Sequence, residues 1–263
     1  MCKKLISLFL LLVPFLCASY SQSKELVWYD EFDYQGLPDS SKWGFEEAYV
    51  RNKEVQYYRG RNIENTFVDG EYLVIRALKH NGGVEGSESN PKYTSGSLST
   101  KNMHNWQFGR IEVRAKFPLG NGVWPAIWTL GSNITEIGWP KSGEIDIVEN
   151  VGRFPEKAHV GIHFFDYEKT QRKRKMATQT YLNDPGEFHI YSIEWTETAL
   201  DFFIDERRVR RIRMDKVGEQ SKHAFLQPHY LIINLALGGD WAGEPDDSIF
   251  PAEFVIDYVR IYQ

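Results

Sequence analysis

Three carboxylates lie close together in one short segment, residues 143–150, with the sequence GEIDIVEN. The segment has the apolar residues of a β-strand. Side chains alternate between the two faces of a regular strand, so Glu144 and Asp146 share one face and Glu149 points to the other. A β-bulge corrects this phase, because its extra residue moves Glu149 onto the face of the other two. We therefore predict a bulge near Ile147–Val148 and a row of three carboxylates.

Such a row has the composition needed for glycosidic hydrolysis. A retaining glycosidase uses two carboxyl groups about 5–5.5 Å apart, one as nucleophile and one as acid/base. Like charges at short range resist joint ionisation, so one glutamate is expected to stay protonated near neutral pH. The residue types alone leave two other interpretations open. One is an edge strand whose charges discourage aggregation, and the other is a metal cluster of three carboxylates with a nearby histidine.

Short segments with period-two alternation occupy the chain from residue 24 to the end, and none has a sustained helical period. Turn clusters such as VDGE, PLGNG and LGGDWAG separate them. The pattern predicts an all-β fold, an antiparallel β-sandwich of the jelly-roll type with a concave substrate cleft. Segment 166–178, DYEKTQRKRKMAT, interrupts the rhythm. Its run of charge predicts a solvated loop rather than a binding patch.

Composition limits the possible partners and the number of domains. The 263 residues are 42% hydrophobic, enough for one large core or two modest ones, and we predict a single domain over residues 20–263. The net charge of −5 disfavours a nucleic-acid partner, which requires a basic face. Aromatic residues make up 14% of the chain, which favours a large β core or a groove that stacks sugars. A monomer is expected.

The first nineteen residues have the pattern of a signal peptide, with two lysines, an apolar run of twelve and a small, polar end. The apolar run is too short for a comfortable transmembrane helix, so no transmembrane segment is predicted. Cleavage is expected after Ala18 or Ser19, which leaves the mature protein without disulfides. A lipid anchor on Cys17 is the alternative, although Leu16 is larger than the residue that normally precedes such a cysteine. The predicted location is periplasmic, secreted or anchored at the cell surface.

The segment GWPKSGEIDIVENVG, residues 138–152, resembles the catalytic strand of glycoside hydrolase family 16, in the bulged laminarinase-like branch with the pattern E-x-D-x-x-E. The resemblance extends over nearly all of the mature chain, through WYDEFD, YTSGSLSTKN, GVWPAIWTLG, NLALGGDWAG and FVIDYVRIYQ. It implies that Glu144 is the nucleophile, Glu149 the acid/base and Asp146 a residue that orients and tunes Glu144. It also implies retention of anomeric configuration and no cofactor for catalysis.

Seven further residues are predicted to contact the substrate. Indole rings suit the apolar face of a sugar, although a place in the core is the alternative for the tryptophans, most of all for Trp128. The resemblance places a histidine opposite the carboxylates and implies contacts to sugar hydroxyls from the remaining positions. The set is Asn52, Trp124, Trp128, Trp139, His163, Asn234 and Trp241.

A structural calcium site is the second prediction that depends on the resemblance. In FVIDYVRIY, alternation puts Asp257 on the face of Val259 and Ile261, where a buried carboxylate needs a partner. The family resemblance implies calcium held by Asp257, the Gly70 carbonyl and Glu31, and oxygen-only ligation suits that ion. A salt bridge from Asp257 is the alternative.

The predicted function is that of a secreted, retaining endo-β-glucanase. Its substrate would be a β-glucan with β-1,3 bonds, either laminarin or a mixed-linkage β-1,3/1,4-glucan. One alternative is a non-catalytic, lectin-like glucan-binding module. Another is the same fold acting on a polysaccharide such as agar or xyloglucan. The full carboxylate set favours an enzyme, because a binding module needs no protonated glutamate beside a nucleophile.

Overall fold

The computed structural model describes residues 24–82, 84 and 90–263. The predicted signal peptide and both cysteines lie outside this part of the chain. The described residues form 19 strands. The first nine are β1 (Leu26–Asp30), β2 (Gln35–Gly36), β3 (Gly44–Phe45), β4 (Glu47–Ala48), β5 (Gln56–Arg59), β6 (Thr66–Asp69), β7 (Leu73–Lys79), β8 (Tyr93–Ser95) and β9 (Ser97–Ser99). The next ten are β10 (Gly109–Lys116), β11 (Val123–Gly131), β12 (Glu144–Asn150), β13 (Lys157–Asp166), β14 (Arg172–Tyr181), β15 (His189–Trp195), β16 (Ala199–Ile204), β17 (Arg207–Arg213), β18 (His229–Leu237) and β19 (Ala252–Tyr262).

Helices are few and short among the described residues. They are α1 (Ile134–Ile137), α2 (Met214–Val217) and α3 (Gly239–Ala242), together with the 3-10 helices Ser221–Phe225 and Asp247–Ile249. Within the described ranges, no helix has the length and apolar character needed to cross a bilayer.

The strands form two sheets. The larger sheet has the order β17-β16-β15-β10-β19-β7-β8-β5-β4, with β1 paired to β19 and with β6 joining β2 to β7. The second sheet has the order β14-β13-β12-β11-β18-β9-β3. Its strand pairs are antiparallel, and in the larger sheet only the described pair β5–β8 is parallel. The predicted all-β, antiparallel sandwich of the jelly-roll class is confirmed.

The core lies between the inner faces of the two sheets and follows the alternation of the sequence. On β10 of the larger sheet, Ile111, Val113 and Ala115 are buried, as the period-two pattern predicts. On β12 of the second sheet, Ile145 and Ile147 are fully buried against the same cluster. Burying each large apolar side chain stabilises the fold by about 1.5–3 kcal/mol. The other face of the second sheet is therefore free to carry polar side chains.

The charged segment 166–178 is mostly strand, so the prediction of a loop is wrong for residues 172–178. β13 ends at Asp166, β14 begins at Arg172, and only residues 167–171 form the turn. β14 is an edge strand, paired with β13 on one side only. Lys173 and Lys175 on one face meet a polar cleft. On the other face Arg174 stands next to the partly buried Met176, so the strand lacks the apolar alternation by which strands are recognised.

The predicted core position of Asp257 is also wrong. Arg114 of β10 pairs with Tyr258 and Ala115 pairs with Ile256, which leaves Asp257 as the extra residue of a bulge in β19. The bulge changes the phase of the strand. Val259 is buried, whereas Asp257 is half-buried on the outer face.

Candidate active site

The predicted bulge in β12 is present. On the β11 side, Ile127 pairs with Val148 and Trp128 pairs with Asp146, so Ile147 is the extra residue. The pairing with β13 shifts over the same interval, between Asp146 and Glu149. Apolar side chains on both sides of the shift pack into the core, since Ile147 and Val148 are fully buried.

The bulge brings the three carboxylates to one cleft on the outer face of the second sheet. Glu144, Asp146 and Glu149 all line this cleft, which has a volume of about 390 Å³. Asp146 is 3% exposed, whereas the two glutamates are half-buried. The glutamates are therefore the carboxylates that a substrate can reach, and Asp146 lies beneath them.

Glu144 is held by a tryptophan and a histidine. The indole Nε1 of Trp139 donates a hydrogen bond to Glu144 Oε2 at 2.8 Å. His163 Nε2 lies 3.8 Å from Glu144 Oε1. Burial raises the pKa of Glu144, and the Trp139 hydrogen bond and the charge of Lys173 oppose that rise. These contacts favour the ionised form that a nucleophile requires.

Among the three carboxyl groups, Asp146 is the most deeply buried, which favours its protonated form. Burial raises its pKa well above the ordinary value, and the charges of Glu149 and Glu144 raise it further. The Asp146 side chain also opposes the rise in the pKa of Glu144 that burial causes, and a protonated Asp146 is the form able to donate a hydrogen bond to the ionised glutamate. His163 Nε2 lies 3.5 Å from Asp146 Oδ2. Burial and nearby lysines lower the pKa of His163 to about 4, so this ring is neutral near pH 7.

Glu149 has the titration expected of an acid/base. Burial is the largest cause that raises its pKa to about 7, the charge of Lys175 opposes the rise, and the charge of Glu144 adds to it. Trp124 Nε1 donates a hydrogen bond to Glu149 Oε1 at 3.2 Å. A general acid/base works best with a pKa near the working pH. The expected protonated glutamate is therefore Glu149, with burial rather than like charge as the main reason.

Two of the predicted tryptophans of the cleft, Trp139 and Trp128, differ in exposure. Trp139 is 44% exposed, whereas Trp128 is 8% exposed and packs with other apolar residues in the cleft floor. Trp128 Nε1 donates to Asn234 Oδ1 at 2.7 Å, and Asn234 Nδ2 donates to the Tyr58 hydroxyl at 2.9 Å. Trp128 therefore lines the cleft and is buried at the same time.

The remaining predicted contacts lie at the two sides of the cleft. Trp124 and Trp241 meet edge to face, with ring centroids 5.0 Å apart. Asn52 is exposed, and its Nδ2 donates to Glu54 Oε1 at 3.2 Å. All seven residues predicted to bind substrate line the cleft. Their contacts with a sugar stay predictions.

Sequence reasoning missed four charged residues of the cleft: Arg51, Glu54, Lys173 and Lys175. The two lysines belong to the segment interpreted as a loop. Their spacing of two residues is the signal that could have placed both on one face of a strand. Arg51 lies over the Trp128 ring, 5.1 Å from its centroid, and forms an ion pair with Glu46.

The metal-cluster interpretation fits this site poorly. Glu144, Asp146 and His163 do offer ligand atoms that lie within 4.8 Å of one another. However, Asp146 favours its protonated form, and Lys173 and Lys175 line the same cleft. A divalent cation would have to displace the proton and tolerate both ammonium groups.

The residues predicted to bind calcium are held by arginines instead. Arg260 contacts both carboxylate oxygens of Glu31, each at 2.8 Å. Arg114 Nη1 pairs with Asp257 Oδ2. Both acidic members of the set thus have cationic partners, so the residues do not fit a calcium site and the arrangement matches the salt-bridge alternative.

The fold and the site define a class of protein. A β-sandwich carries two glutamates of different character in a tryptophan-lined cleft, an arrangement suited to acid/base cleavage of a polysaccharide. Residues 64–260 match the family described as glycosyl hydrolases family 16. The chain belongs to this family, and the predicted family and enzyme class are confirmed.

Individual relatives agree with this assignment over most of the chain. A β-glucanase from Rhodothermus marinus is 41% identical over 252 residues, which cover 91% of this chain and 85% of the relative. The X-ray structure of the laminarinase from the same organism has a TM-score of 0.82 at 38% identity, over 91% of this chain and 97% of that one. The structure of SCLam, a non-specific endo-β-1,3(4)-glucanase, has a TM-score of 0.83 at 37% identity, over 92% of each chain.

Proposed function

We propose that the protein is an endo-β-glucanase that cleaves glucans with β-1,3 bonds, by double displacement and with retention of configuration. One observation carries the proposal. Two half-buried glutamates reach the same cleft from opposite ends of a bulged strand: burial raises the pKa of Glu149 to about 7, and the hydrogen bond from Trp139 opposes the burial-driven rise in the pKa of Glu144. The similarity to the β-glucanase, the laminarinase and the non-specific endo-β-1,3(4)-glucanase supports the substrate class.

In the first step, a carboxylate oxygen of Glu144 attacks the anomeric carbon while Glu149 gives its proton to the leaving glycosidic oxygen. The C–O bond to the leaving chain breaks as the glycosyl–enzyme ester forms. In the second step, Glu149 is the base that takes a proton from water, and the water oxygen displaces Glu144. Two inversions at one carbon give net retention. Trp139 donates a hydrogen bond to Glu144, and a protonated Asp146 is able to donate another, so both residues hold the orientation of Glu144 between the steps.

Product analysis tests this proposal. Purified protein is incubated with laminarin and with a mixed-linkage β-1,3/1,4-glucan, and the products are separated by size. Short oligosaccharides from either glucan are expected, with the β-anomer appearing first in the proton NMR spectrum. Agar and xyloglucan serve as control polysaccharides. Binding of laminarin without cleavage would favour a lectin-like module, and a first-formed α-anomer would contradict the retaining mechanism.

Azide rescue tests the role of Glu149 separately. Glu149→Ala removes the base of the second step, and azide is a nucleophile that needs no such base. Added azide is expected to restore part of the turnover and to release a β-glycosyl azide. Glu64→Ala, a change at an exposed carboxylate outside the cleft, is the matched control and should show no response to azide.

We also propose export of the protein, supported by the lysine, apolar and small-residue pattern of residues 1–19. N-terminal sequencing of the secreted product is expected to begin after Ala18 or Ser19. A lipid-modified N-terminus at Cys17, lost in Cys17→Ser, would show the anchored alternative instead.

Size-exclusion chromatography with light scattering tests the expected monomer.

A further inference from the structure

Two lysines of the edge strand β14 face the active-site cleft. Residues two apart share a face of a strand, and Lys173 and Lys175 both line the cleft. Arg174 between them turns the other way, where it pairs with Asp166 at 3.5 Å. Neither cleft lysine belongs to the carboxylate row, and the double-displacement chemistry assigns neither of them a step.

Each lysine lies over a tryptophan ring that is connected to one glutamate, either by a direct hydrogen bond or through a second tryptophan. Lys173 Nζ is 4.4 Å from the ring centroid of Trp139, whose indole donates to Glu144. Lys175 Nζ is 5.6 Å from the ring centroid of Trp241. Trp241 packs against Trp124, whose indole donates to Glu149. Through the pairing register, Lys175 lies opposite His163 and His163 lies opposite Glu144, so Lys175 is also in line with Glu144.

We propose that Lys173 and Lys175 are two positioning residues with overlapping targets: Lys173 acts on the nucleophile Glu144, and Lys175 acts on the acid/base Glu149 as well as on Glu144. The inference rests on the proposed function of these two glutamates. Lys173 lies over the tryptophan that donates to Glu144. Lys175 lies over Trp241, which packs against the tryptophan that donates to Glu149. The positive charge of each lysine stabilises the carboxylate form of its target against the cost of burial.

The other charged and titratable groups around the glutamates do not supply this effect. His159 and His163 on β13 have pKa values lowered to about 4 by burial and by the lysines, so both are neutral near pH 7. Asp146 on β12 favours its protonated form. On the far side of the cleft, a set of three charged groups is paired or hydrogen-bonded within itself: Arg51, Glu46 and Glu54.

The electrostatic consequences differ between the two lysines. Lys173 is the larger cationic influence on Glu144, followed by Lys175. For Glu149 the cationic influence is that of Lys175. Without Lys175, burial would keep Glu149 protonated to higher pH and would weaken it as the base of the second step. Without Lys173, Glu144 would need a higher pH to become the ionised nucleophile.

The pH profile of kcat/KM tests this division, because its two limbs report the essential acid and base of the free enzyme. Lys175→Gln should move the basic limb to higher pH by about half a unit or more, the size expected for loss of one charge at short range. Lys173→Gln should move mainly the acidic limb in the same direction. Lys175→Arg should restore the wild-type profile, and Arg172→Gln, on the same strand but outside the cleft, should leave it unchanged.

A titration keeps this inference separate from the proposed activity. Glutamate labelled with ¹³C at the side-chain carboxyl gives the pKa of Glu149 by NMR, with Glu149→Gln to assign its signal. Lys175→Gln should raise that pKa whether or not any glucan is cleaved. Equal pKa values in wild type and Lys175→Gln would overturn the inference. So would a uniform loss of rate in the lysine variants with both limbs of the profile unmoved.

Discussion

Two of the bulges in the described strands, in β12 and in β19, have opposite effects on a carboxylate. In β12 the extra residue is the apolar Ile147, and the shift brings Glu149 onto the polar face of the sheet beside Glu144. In β19 the extra residue is Asp257 itself. The shift places its side chain on the outer face of the sheet, where it forms an ion pair with Arg114. One backbone device thus builds a reactive cluster in one sheet and avoids a buried charge in the other.

The difference lies in what surrounds each carboxylate. The carboxylates of β12 are partly or fully buried, their pKa values are raised, and their hydrogen-bond donors are neutral. Within the described part of the chain, the nearby cations Lys173 and Lys175 make no direct ion pair with them. Asp257 has a direct arginine partner at the surface of the other sheet. Perturbed carboxyl groups that share a cleft indicate function, whereas a paired and partly exposed carboxylate indicates structure.

The largest effect is expected at Glu144. Glu144→Gln keeps the shape of the side chain but removes the nucleophile, so kcat on laminarin should fall by about 10⁴–10⁶-fold, as when other enzymes lose their nucleophile. Binding of the polysaccharide, measured by affinity electrophoresis, should be retained. Asp257→Asn, at the other bulge, is the matched variant and should keep wild-type turnover. Wild-type turnover in Glu144→Gln would refute the assignment.

Asp146 should show an intermediate effect. Asp146→Ala removes the hydrogen bond to the ionised Glu144, and a bond to a charged group is worth about 1.5–3 kcal/mol, so kcat should fall by about 10–100-fold. Asp146→Asn keeps a hydrogen-bond donor at this position, so its kcat should fall by less than that of Asp146→Ala. Steady-state kinetics of both variants measure the difference. Equal losses would mean that the donor is not the important feature of Asp146.

The stability of the folded protein should depend on pH through the half-buried carboxyl group of Glu149. The pKa of Glu149 is raised from 4.5 to about 7 in the folded protein. As pH rises from about 4.5 to about 7, the unfolded chain ionises first, so the stability that this glutamate contributes below pH 4.5 is lost. Glu149→Gln does not titrate, so its free energy of unfolding relative to wild type should be higher at pH 8 than at pH 4, by up to about 3 kcal/mol. Urea unfolding at pH 4 and pH 8 checks this, and an equal difference at both values would contradict it.

The smallest effect is expected at the Asp257 bulge. Breaking an ion pair at a partly exposed site costs about 1 kcal/mol or less, so Asp257→Asn should lower the free energy of unfolding only slightly. Chelation with EDTA should leave the melting temperature of the wild-type protein unchanged. A large fall with EDTA, absent in Asp257→Asn, would mean that calcium binds here after all.

Much of this site could be predicted from the sequence because three carboxylates that should act together do not share one face under regular strand alternation. A third carboxylate on the wrong face required a bulge, and the bulge is present at Ile147. The alternation of β10 predicted its buried face correctly. The family resemblance contributed the residues of the cleft wall, whose distant positions along the chain no local pattern connects.

Other features could not be predicted, for physical reasons. Lys173 and Lys175 belong to an edge strand whose cleft face is polar and whose other face mixes Arg174 with Met176, so apolar alternation gives no clear signal there. The bulge at Asp257 leaves an ordinary-looking alternation, and only the pairing with β10 reveals the shift. The raised pKa of Glu149 depends mainly on its depth in the cleft, which residue spacing does not determine.

Trapping the covalent intermediate tests the central assignment most directly. A 2-deoxy-2-fluoro-β-laminaribiosyl fluoride should react with the wild-type enzyme to form a stable ester, because the fluorine at C2 slows the second displacement. Peptide mapping by mass spectrometry should place one added laminaribiosyl group on Glu144, with no labelling of Glu144→Gln. A label on Glu149 or Asp146, or rapid turnover of laminarin without any label, would contradict the roles that the bulge in β12 gives to its carboxylates.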